Sequence, residues 1–445
     1  MGEEKTLILG LDSVPPRLLY KDLQGELPNV ESLLESRGIL KTSHPPITIP
    51  AWMVLSTGRT PGELGIYGFR HRRARTYDDM YIANSRLVKH KTFWDKLGGR
   101  GKRVIIAGVP PSYPPKPVKG LLVSCFITPG PENPYTWPPT LKREIEKVAG
   151  GPYIFDVVYR SEDKDRVKKE LWSLAETQFK VVRYLAREKK WDLLFYMHIG
   201  TDRVHHAFWK YYDREHHKYE PGNEYEDVIP EYYKLVDMEI GKLLEVVPRG
   251  TRIILVSDHG AKAMKGAFAI NQWLEENGYL TLKRRPERPG QDLKPNMIDW
   301  SRTKAWAWGG YYSRIFLNIK GREPQGIVDP EDAPGLIEQL KRDIERIGGP
   351  NGEHWNNMVY MPQELYPEVN GDPPDLIVYL DDLNWRPAGT IGWPEPYLEE
   401  NDRGPDDAVH DWYGIIAENH TKSPINSSTI NIIDFTKVME GLDHD

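Results

Sequence analysis

The sequence predicts an α/β fold: a doubly wound, mainly parallel central sheet flanked by helices, with inserted cap elements. Three observations carry that prediction: short apolar runs end abruptly in polar residues, their hydrophobicity is continuous rather than alternating, and amphipathic stretches of helical spacing lie between them. A strand covered by helices on both faces is apolar at every position, whereas one with a wet face alternates. Strand and helix in alternation give a sheet wound on both sides.

The runs are, in order, "TLILGLD" up to Asp12, "RVIIAGV" before Pro110, "WDLLFYMHIGTD" up to Asp202, "TRIILVSDH" up to His259, and "PDLIVYL" before Asp381. Between the first two, "TIPAWMVLST" reads as a helix that Thr57-Gly58 ends; Pro50 pre-sets a first-turn angle and Thr48 stands at the amino terminus. In "DKDRVKKELWSLAETQFKVVRYLAREKK", Val167, Leu171, Leu174, Phe179, Val182 and Leu185 recur on one helical face, with Asp163 as a cap. Residues 283–301 and 320–335 are rich in Pro, Gly and charge and read as surface loops framing "YSRIFLNI". We expect 283–370 to form a cap-like insertion that helps roof the site, within a single domain over 1–445. The Pro-rich stretch between 109 and 139 fits a buried or a hinge role alike.

Composition bounds the function. The chain has 445 residues, 39% hydrophobic and 11% aromatic, an ordinary globular profile with ample material for a core. The net charge is -6 and no stretch concentrates Lys and Arg without acids among them, which argues against coating a nucleic-acid polymer or a membrane surface and favours a small-molecule partner. The single cysteine, Cys125, has no internal disulfide partner, and "MGEEKTLILG" leads straight into a strand without a signal-peptide profile, so the expected location is cytoplasmic. No apolar run approaches the ~20 residues that cross a bilayer.

Open parallel sheets bind ligands outside the carboxyl ends of their strands. The residues there are metal-ligand types: Asp12, Asp202, and the adjacent Asp258 and His259. His206, four residues after Asp202, shares its face of the following helix, and His410 precedes the strand-like "DWYGIIAEN". A lone strand-end Asp is more often a cap or turn residue; the weight lies in their coincidence. Asp and His without cysteine suit Zn or Mn, and two ions ~3.5–4 Å apart suit displacement at phosphorus. Thr48, at a helix amino terminus that favours an anion, is then the candidate attacking group, a hydroxyl activated by metal coordination.

These segments resemble the alkaline phosphatase superfamily, in its type I phosphodiesterase/nucleotide pyrophosphatase branch. "TIPAWMVLSTGRTPGELGIYGF" is similar to the nucleophile segment of that branch, "GTDRVHHAFW" to its Asp-x-x-x-His segment, "VSDHG" to its Asp-His pair, and "AVHDWYGIIAEN" to the segment of its late histidine. The resemblance implies a covalent phosphothreonine at Thr48 and two divalent ions, Zn or Mn, one held by Asp202, His206 and His410, the other by Asp12, Asp258, His259 and the Thr48 oxygen. His205 is the weaker candidate beside His206, being one step off the shared face.

The chain departs from the family where an asparagine usually contacts phosphate, since Phe69 takes that place. It also lacks the Gly-Pro usual after the late strand, and Phe435 stands where a proline is usual. Sulfatase chemistry needs a Cys or Ser in another context, and cofactor-independent phosphoglycerate mutase uses serine. The expected function is a metal-dependent phosphoric ester hydrolase with a small-molecule phosphate ester as substrate, diesters preferred. Its alternatives are a phosphomonoesterase on the same scaffold or a binding protein of this fold without turnover. Phe69, Arg70, His71 and Arg203 are the candidate substrate contacts.

Overall fold

The Thr6–Leu11 strand is buried at every position in the computed structural model, which describes residues 5–73, 75–420, 425 and 428–440. It forms the middle of a nine-stranded sheet, between two runs equally buried on both faces, Leu193–His198 and Arg252–Val256. Both pair with it in parallel, Thr6 facing Leu193 on one side and Arg252 on the other. This shared register brings three carboxyl ends to one edge of the sheet, with Asp12, the Gly200–Tyr212 helix and the Asp258-His259 pair following directly.

Val104–Ala107 and Gly120–Val123 continue the sheet in parallel beyond Leu193–His198, and Thr136–Trp137 closes that side antiparallel. On the other side Tyr413–Glu418 runs antiparallel to both Arg252–Val256 and Ser36–Lys41, with Thr429–Asn431 at the margin. Helix Lys164–Glu188 packs the predicted apolar face inward, and the Asp163 side chain accepts from the Arg166 backbone N–H at 3.1 Å. Among the described residues no helix is long and apolar enough to cross a membrane.

One expectation fails. "PDLIVYL" is not a strand of the central sheet: Leu376–Tyr379 belongs to a separate four-stranded antiparallel sheet with Ala305–Trp308, Ser313–Leu317 and Met358–Tyr360. Its unbroken hydrophobicity has another cause. Leu376 and Val378 pack into a second hydrophobic core that runs from Phe268 to Ile391, beyond both ends of 283–370, while Ile377 and Tyr379 pack on the opposite face into a smaller cluster with Ile47, Tyr67 and Tyr312. Both faces are dry, as in a parallel strand, but for a different reason. The smaller cluster also seats the additional sheet against the segments on either side of the Thr48 helix.

Candidate active site

Helix Thr48–Thr57 is buried at all ten positions, which explains its lack of a polar face. Gly58 ends it in the left-handed region at φ 66°, a conformation glycine adopts without strain, and its N–H returns to the Val54 carbonyl at 2.8 Å. Thr48 is the first helical residue, and the extended residue before it is Ile47, so its hydroxyl is not engaged as a cap. Instead Thr48 Oγ1 lies 3.5 Å from Asp12 Oδ1 and 3.4 Å from His259 Nε2. One helical turn on, the Trp52 indole N–H donates to Asp12 Oδ2 at 2.6 Å, leaving Oδ1 to face the threonine. Gly10 makes room for that indole, since a Cβ there would lie 2.6 Å from the Trp52 ring.

Two overlapping sets of ligand atoms converge beside Thr48. In one, Asp12, Asp258 and His259 bring their atoms within 4.8 Å of one another; in the other, Asp202, His259 and His410 do the same, so His259 is common to both. His206 adjoins the second set, its Nε2 3.2 Å from Asp202 Oδ1. The strands and the i, i+4 helical face thus gather every ligand type expected from the sequence. His205 faces elsewhere, its Nε2 3.1 Å from the Tyr233 hydroxyl.

The three histidines share one arrangement. Nδ1 of His206 is 2.7 Å from Asp406 Oδ1, Nδ1 of His259 is 3.0 Å from the Gly260 carbonyl, and Nδ1 of His410 is 2.6 Å from the Pro46 carbonyl. An acceptor at each Nδ1 fixes the proton there and turns the Nε2 lone pair toward the carboxylates, as metal-bound imidazoles require. Burial lowers His259 to about 4 and, with His259 as neighbour, holds His410 well below the usual histidine range, so both are neutral at pH 7. His206 is the exception: burial is outweighed by Asp406 and Asp202, which hold it well above that range.

The carboxylates are under electrostatic stress. Burial, with Asp202 adding repulsion, pushes Asp12 well above the usual carboxylate range, and burial and Asp12 do the same to Asp258. Against the same burial, His206 and Arg203 hold Asp202 well below it. Asp202 Oδ1 and Asp258 Oδ2 are buried and accept no hydrogen bond. Acceptor oxygens without donors, neutral imidazoles with oriented lone pairs and an excess of buried carboxylate are what divalent cations satisfy, so these residues fit a metal centre.

The set opens on a cavity of about 760 Å³ whose lining includes Thr48, Asp202 and His410 together with Phe69, Arg70 and Arg203. Arg203 is buried, bound through two nitrogens to Asp156 at 2.7 and 2.8 Å and through the third to Asp202 Oδ2 at 2.6 Å. His71 does not line the cavity: its Nε2 accepts the Tyr67 backbone N–H at 2.9 Å and its ring stacks on Tyr81. In a strand consecutive side chains alternate, so Arg70 and His71 point to opposite faces.

Several site residues escaped the sequence reading. Buried Asp406 and half-buried Arg160 and Tyr311 form a group behind His206, with Asp406 Oδ2 accepting from the Tyr311 hydroxyl and from Arg160 Nε, each at 2.9 Å. Nothing in their local sequence marks them. Trp52 had a signal, being four residues after Thr48 on one helix face.

The model of the family described as type I phosphodiesterase/nucleotide pyrophosphatase matches residues 6–406. Among solved structures, the phosphonoacetate hydrolase of Sinorhizobium meliloti 1021 in complex with phosphonoformate is similar over 99% of this chain and 96% of that one, at 15% identity and a TM-score of 0.62. An inactive threonine-to-alanine variant of murine ectonucleotide pyrophosphatase/phosphodiesterase 5 in complex with AMP is similar over 99% of this chain and 95% of that one, at 14% identity and a TM-score of 0.53. The human form of the latter gives the same identity and TM-score, over 99% of this chain and 96% of that one. No curated protein matches the sequence.

Proposed function

The chain belongs to the type I phosphodiesterase/nucleotide pyrophosphatase family, within the alkaline phosphatase superfamily, and from that premise we propose that it hydrolyses phosphate esters, diesters preferentially, with Thr48 as nucleophile. The observation that carries this is the Thr48 hydroxyl, free of a capping role and held between Asp12 Oδ1 and His259 Nε2. Phosphorus-containing ligands bound by structural neighbours, and the inactivity of one neighbour's threonine-to-alanine variant, are in keeping with it.

Thr48 Oγ forms a bond to phosphorus as the bond to the leaving alkoxide breaks; the alkoxide departs as an alcohol after taking a proton. Water then cleaves the phosphothreonine to restore Thr48 and release a phosphomonoester from a diester. Asp12 Oδ1 accepts the hydroxyl proton's hydrogen bond, with Trp52 fixing the carboxylate's rotation. The first turn of the Thr48 helix offers backbone N–H groups to the phosphoryl oxygens. Asp12, Asp258 and His259 would hold one dication and Asp202, His206 and His410 a second, Zn or Mn, with His259 near both. When bound, the cations supply Lewis acidity and neutralise the buried carboxylates. The buried free Cys125 is in keeping with a reducing, cytoplasmic setting.

The diester preference follows from charge. Two dications balance Asp12, Asp202, Asp258 and a Thr48 alkoxide, and the Arg203 guanidinium is already bound by Asp156 and Asp202. Arg203 is therefore not free to meet a monoester dianion, while a diester carries a single charge. The test compares kcat/KM for bis(4-nitrophenyl) phosphate and 4-nitrophenyl phosphate in the metal-loaded wild type, Thr48→Ala and Thr48→Ser. We expect the diester to win, alanine to abolish turnover and serine to retain part of it. A Thr48→Ala rate within about tenfold of wild type, only ~1.4 kcal/mol of transition-state stabilisation, overturns the nucleophile assignment.

A further inference from the structure

Arg160, Arg203, Arg386 and Arg403, all lining the cavity, each form an ion pair with an aspartate. Arg314 lines the same cavity and does not. It is only 8% exposed, its Nε is buried with no hydrogen-bond partner, and among the described residues the one acceptor it meets is the backbone carbonyl of Arg70. No carboxylate of the described residues pairs with it. Its guanidinium lies 5.0 Å from the centre of the Trp308 ring and 5.8 Å from that of Tyr312, so aromatic faces rather than acids surround it. Arg70, an exposed residue that also lines the cavity, has no ion pair among the described residues. Burial, and then the charge of Arg70, push the Arg314 guanidinium below its usual range.

A buried guanidinium without a counter-ion, next to a second cation, is stable only if something anionic shares the cavity or if the surrounding fold bears the cost. Most of its donor fork is left for that partner, and a guanidinium fork matches the paired oxygens of a carboxylate or phosphate. The partner differs from the reacting phosphoryl group. Contacts from Asp202 to Arg314 run through Arg203, over the Phe126 ring at 5.2 Å, then from Phe126 to Phe69 at 5.9 Å, then to Arg70. Among the described residues Arg314 has no hydrogen bond or ion pair with Thr48 or with the carboxylates and histidines beside it, its side chain meeting the Arg70 carbonyl and the Trp308 and Tyr312 rings instead.

We propose that Arg314 and Arg70 form a second anion-binding subsite in the Thr48 cavity, and that the substrate is a phosphate ester whose alcohol half carries its own anionic group, a carboxylate or a phosphate. The proposal rests on the phosphate-ester reading above. It gives the additional sheet a role in selectivity, since Arg314 lies on its Ser313–Leu317 strand while Asp12, Asp202, His206, Asp258 and His259 follow strands of the central sheet.

The test measures equilibrium binding by calorimetry to full-length, metal-loaded Thr48→Ala protein, so that it does not depend on turnover. Three ligands are compared: methyl 2-carboxyethyl phosphate, its neutral carboxamide, and methyl 2-(phosphonooxy)ethyl phosphate. We expect the carboxylate or the phosphate ligand to bind at least about tenfold more tightly than the carboxamide, and the ratio to fall within about threefold when Arg314→Met is added. Whichever anionic ligand binds more tightly identifies the natural group. Affinities within about threefold across all three ligands, or a ratio that survives Arg314→Met, overturn the subsite. The three-ligand comparison in the Thr48→Ala protein alone needs no second substitution, so it decides even if the protein that also carries Arg314→Met fails to fold. Turnover of bis(4-nitrophenyl) phosphate by wild type is read separately: its absence defeats the esterase reading while the binding ratio still decides the subsite.

Discussion

Asp406→Asn should weaken one metal site and spare the other. Asp406 is buried; its Oδ1 is 2.7 Å from His206 Nδ1, and its Oδ2 accepts from both Arg160 and Tyr311. Asparagine keeps the size but has one acceptor oxygen. If that oxygen stays on His206, the amide NH₂ meets the Arg160 guanidinium, donor against donor. If it turns to Arg160, the NH₂ faces His206 Nδ1 and competes with the Ala408 carbonyl, 3.1 Å away, for that nitrogen; where Nδ1 accepts from the amide, the imidazole proton moves to Nε2 and the lone pair that should face the metal is lost. Either outcome also removes the negative charge that, with Asp202, holds His206 above its usual range.

Loss of a carboxylate behind a metal-binding histidine weakens metal affinity about 10–100-fold, or ~1.4–2.7 kcal/mol. The assay is competition against a chromogenic chelator, which resolves two dissociation constants in the wild type. One of the two constants should shift by that factor and the other by less than about threefold. The neighbouring Asp407→Asn is the control, because Asp407 Oδ2 has no hydrogen-bond partner and does not touch a ring nitrogen of His206. Two unshifted constants in Asp406→Asn, or equal shifts in both variants, would refute the argument that Asp406 sets the tautomer.

Asp258→Asn should lose at least one metal equivalent by elemental analysis, since a neutral amide cannot replace a carboxylate at a hard dication; two full equivalents with intact activity would remove Asp258 from the ligand set. Chelation of wild type should lower its thermal midpoint, because stripping the cations leaves Asp12, Asp202 and Asp258 buried together; an unchanged midpoint would show that no bound cation contributes to stability. Asp407 offers a pH test: burial raises it from 3.8 to about 7, against the pull of Lys164 and Lys210. The folded state then holds a proton that the unfolded state has released, so this group's contribution to stability falls as pH rises from about 4 through about 7. Asp407→Asn lacks that loss, and its thermal midpoint relative to wild type should climb between pH 5 and pH 8; a constant difference would contradict the shift.

Asp12, Asp258 and His259 were legible because a parallel sheet with common register delivers the residues after its strands to one edge, and continuous apolar runs announce such a sheet. Asp202 and His206 followed from helical spacing. The group behind His206 was not legible: Arg160, Tyr311 and Asp406 come from three distant segments and meet only when the additional sheet docks, which no local pattern encodes. Leu376–Tyr379 was misplaced because burial on both faces, whatever covers them, leaves the same mark in sequence. Arg314 did leave a trace, as the one charge inside "YSRIFLNI", but a charge in an apolar run reads equally as a surface break until its burial is known.

Arg203 and Arg314 show how the same residue type acts oppositely within one cavity. Arg203 follows Asp202 on the same helix, and its two bonds to Asp156 aim the remaining nitrogen at the Asp202 carboxylate. Its charge helps keep Asp202 ionised and is not available to a substrate dianion. Arg314 has the reverse arrangement: the fold holds it by the Arg70 carbonyl and by aromatic faces, and supplies no acid. A cation answered by the protein tunes a ligand, whereas a cation left unanswered selects for an anion. Because Arg203 belongs to the helix after a central strand and Arg314 to the additional sheet, changes to that sheet can alter which ester is chosen without disturbing the carboxylates and histidines around Thr48. The junction of Ile47, Tyr67 and Tyr312 couples the two parts, and the Tyr312 hydroxyl bonded to the Tyr67 carbonyl fixes the position of Gly68–Arg70 between them.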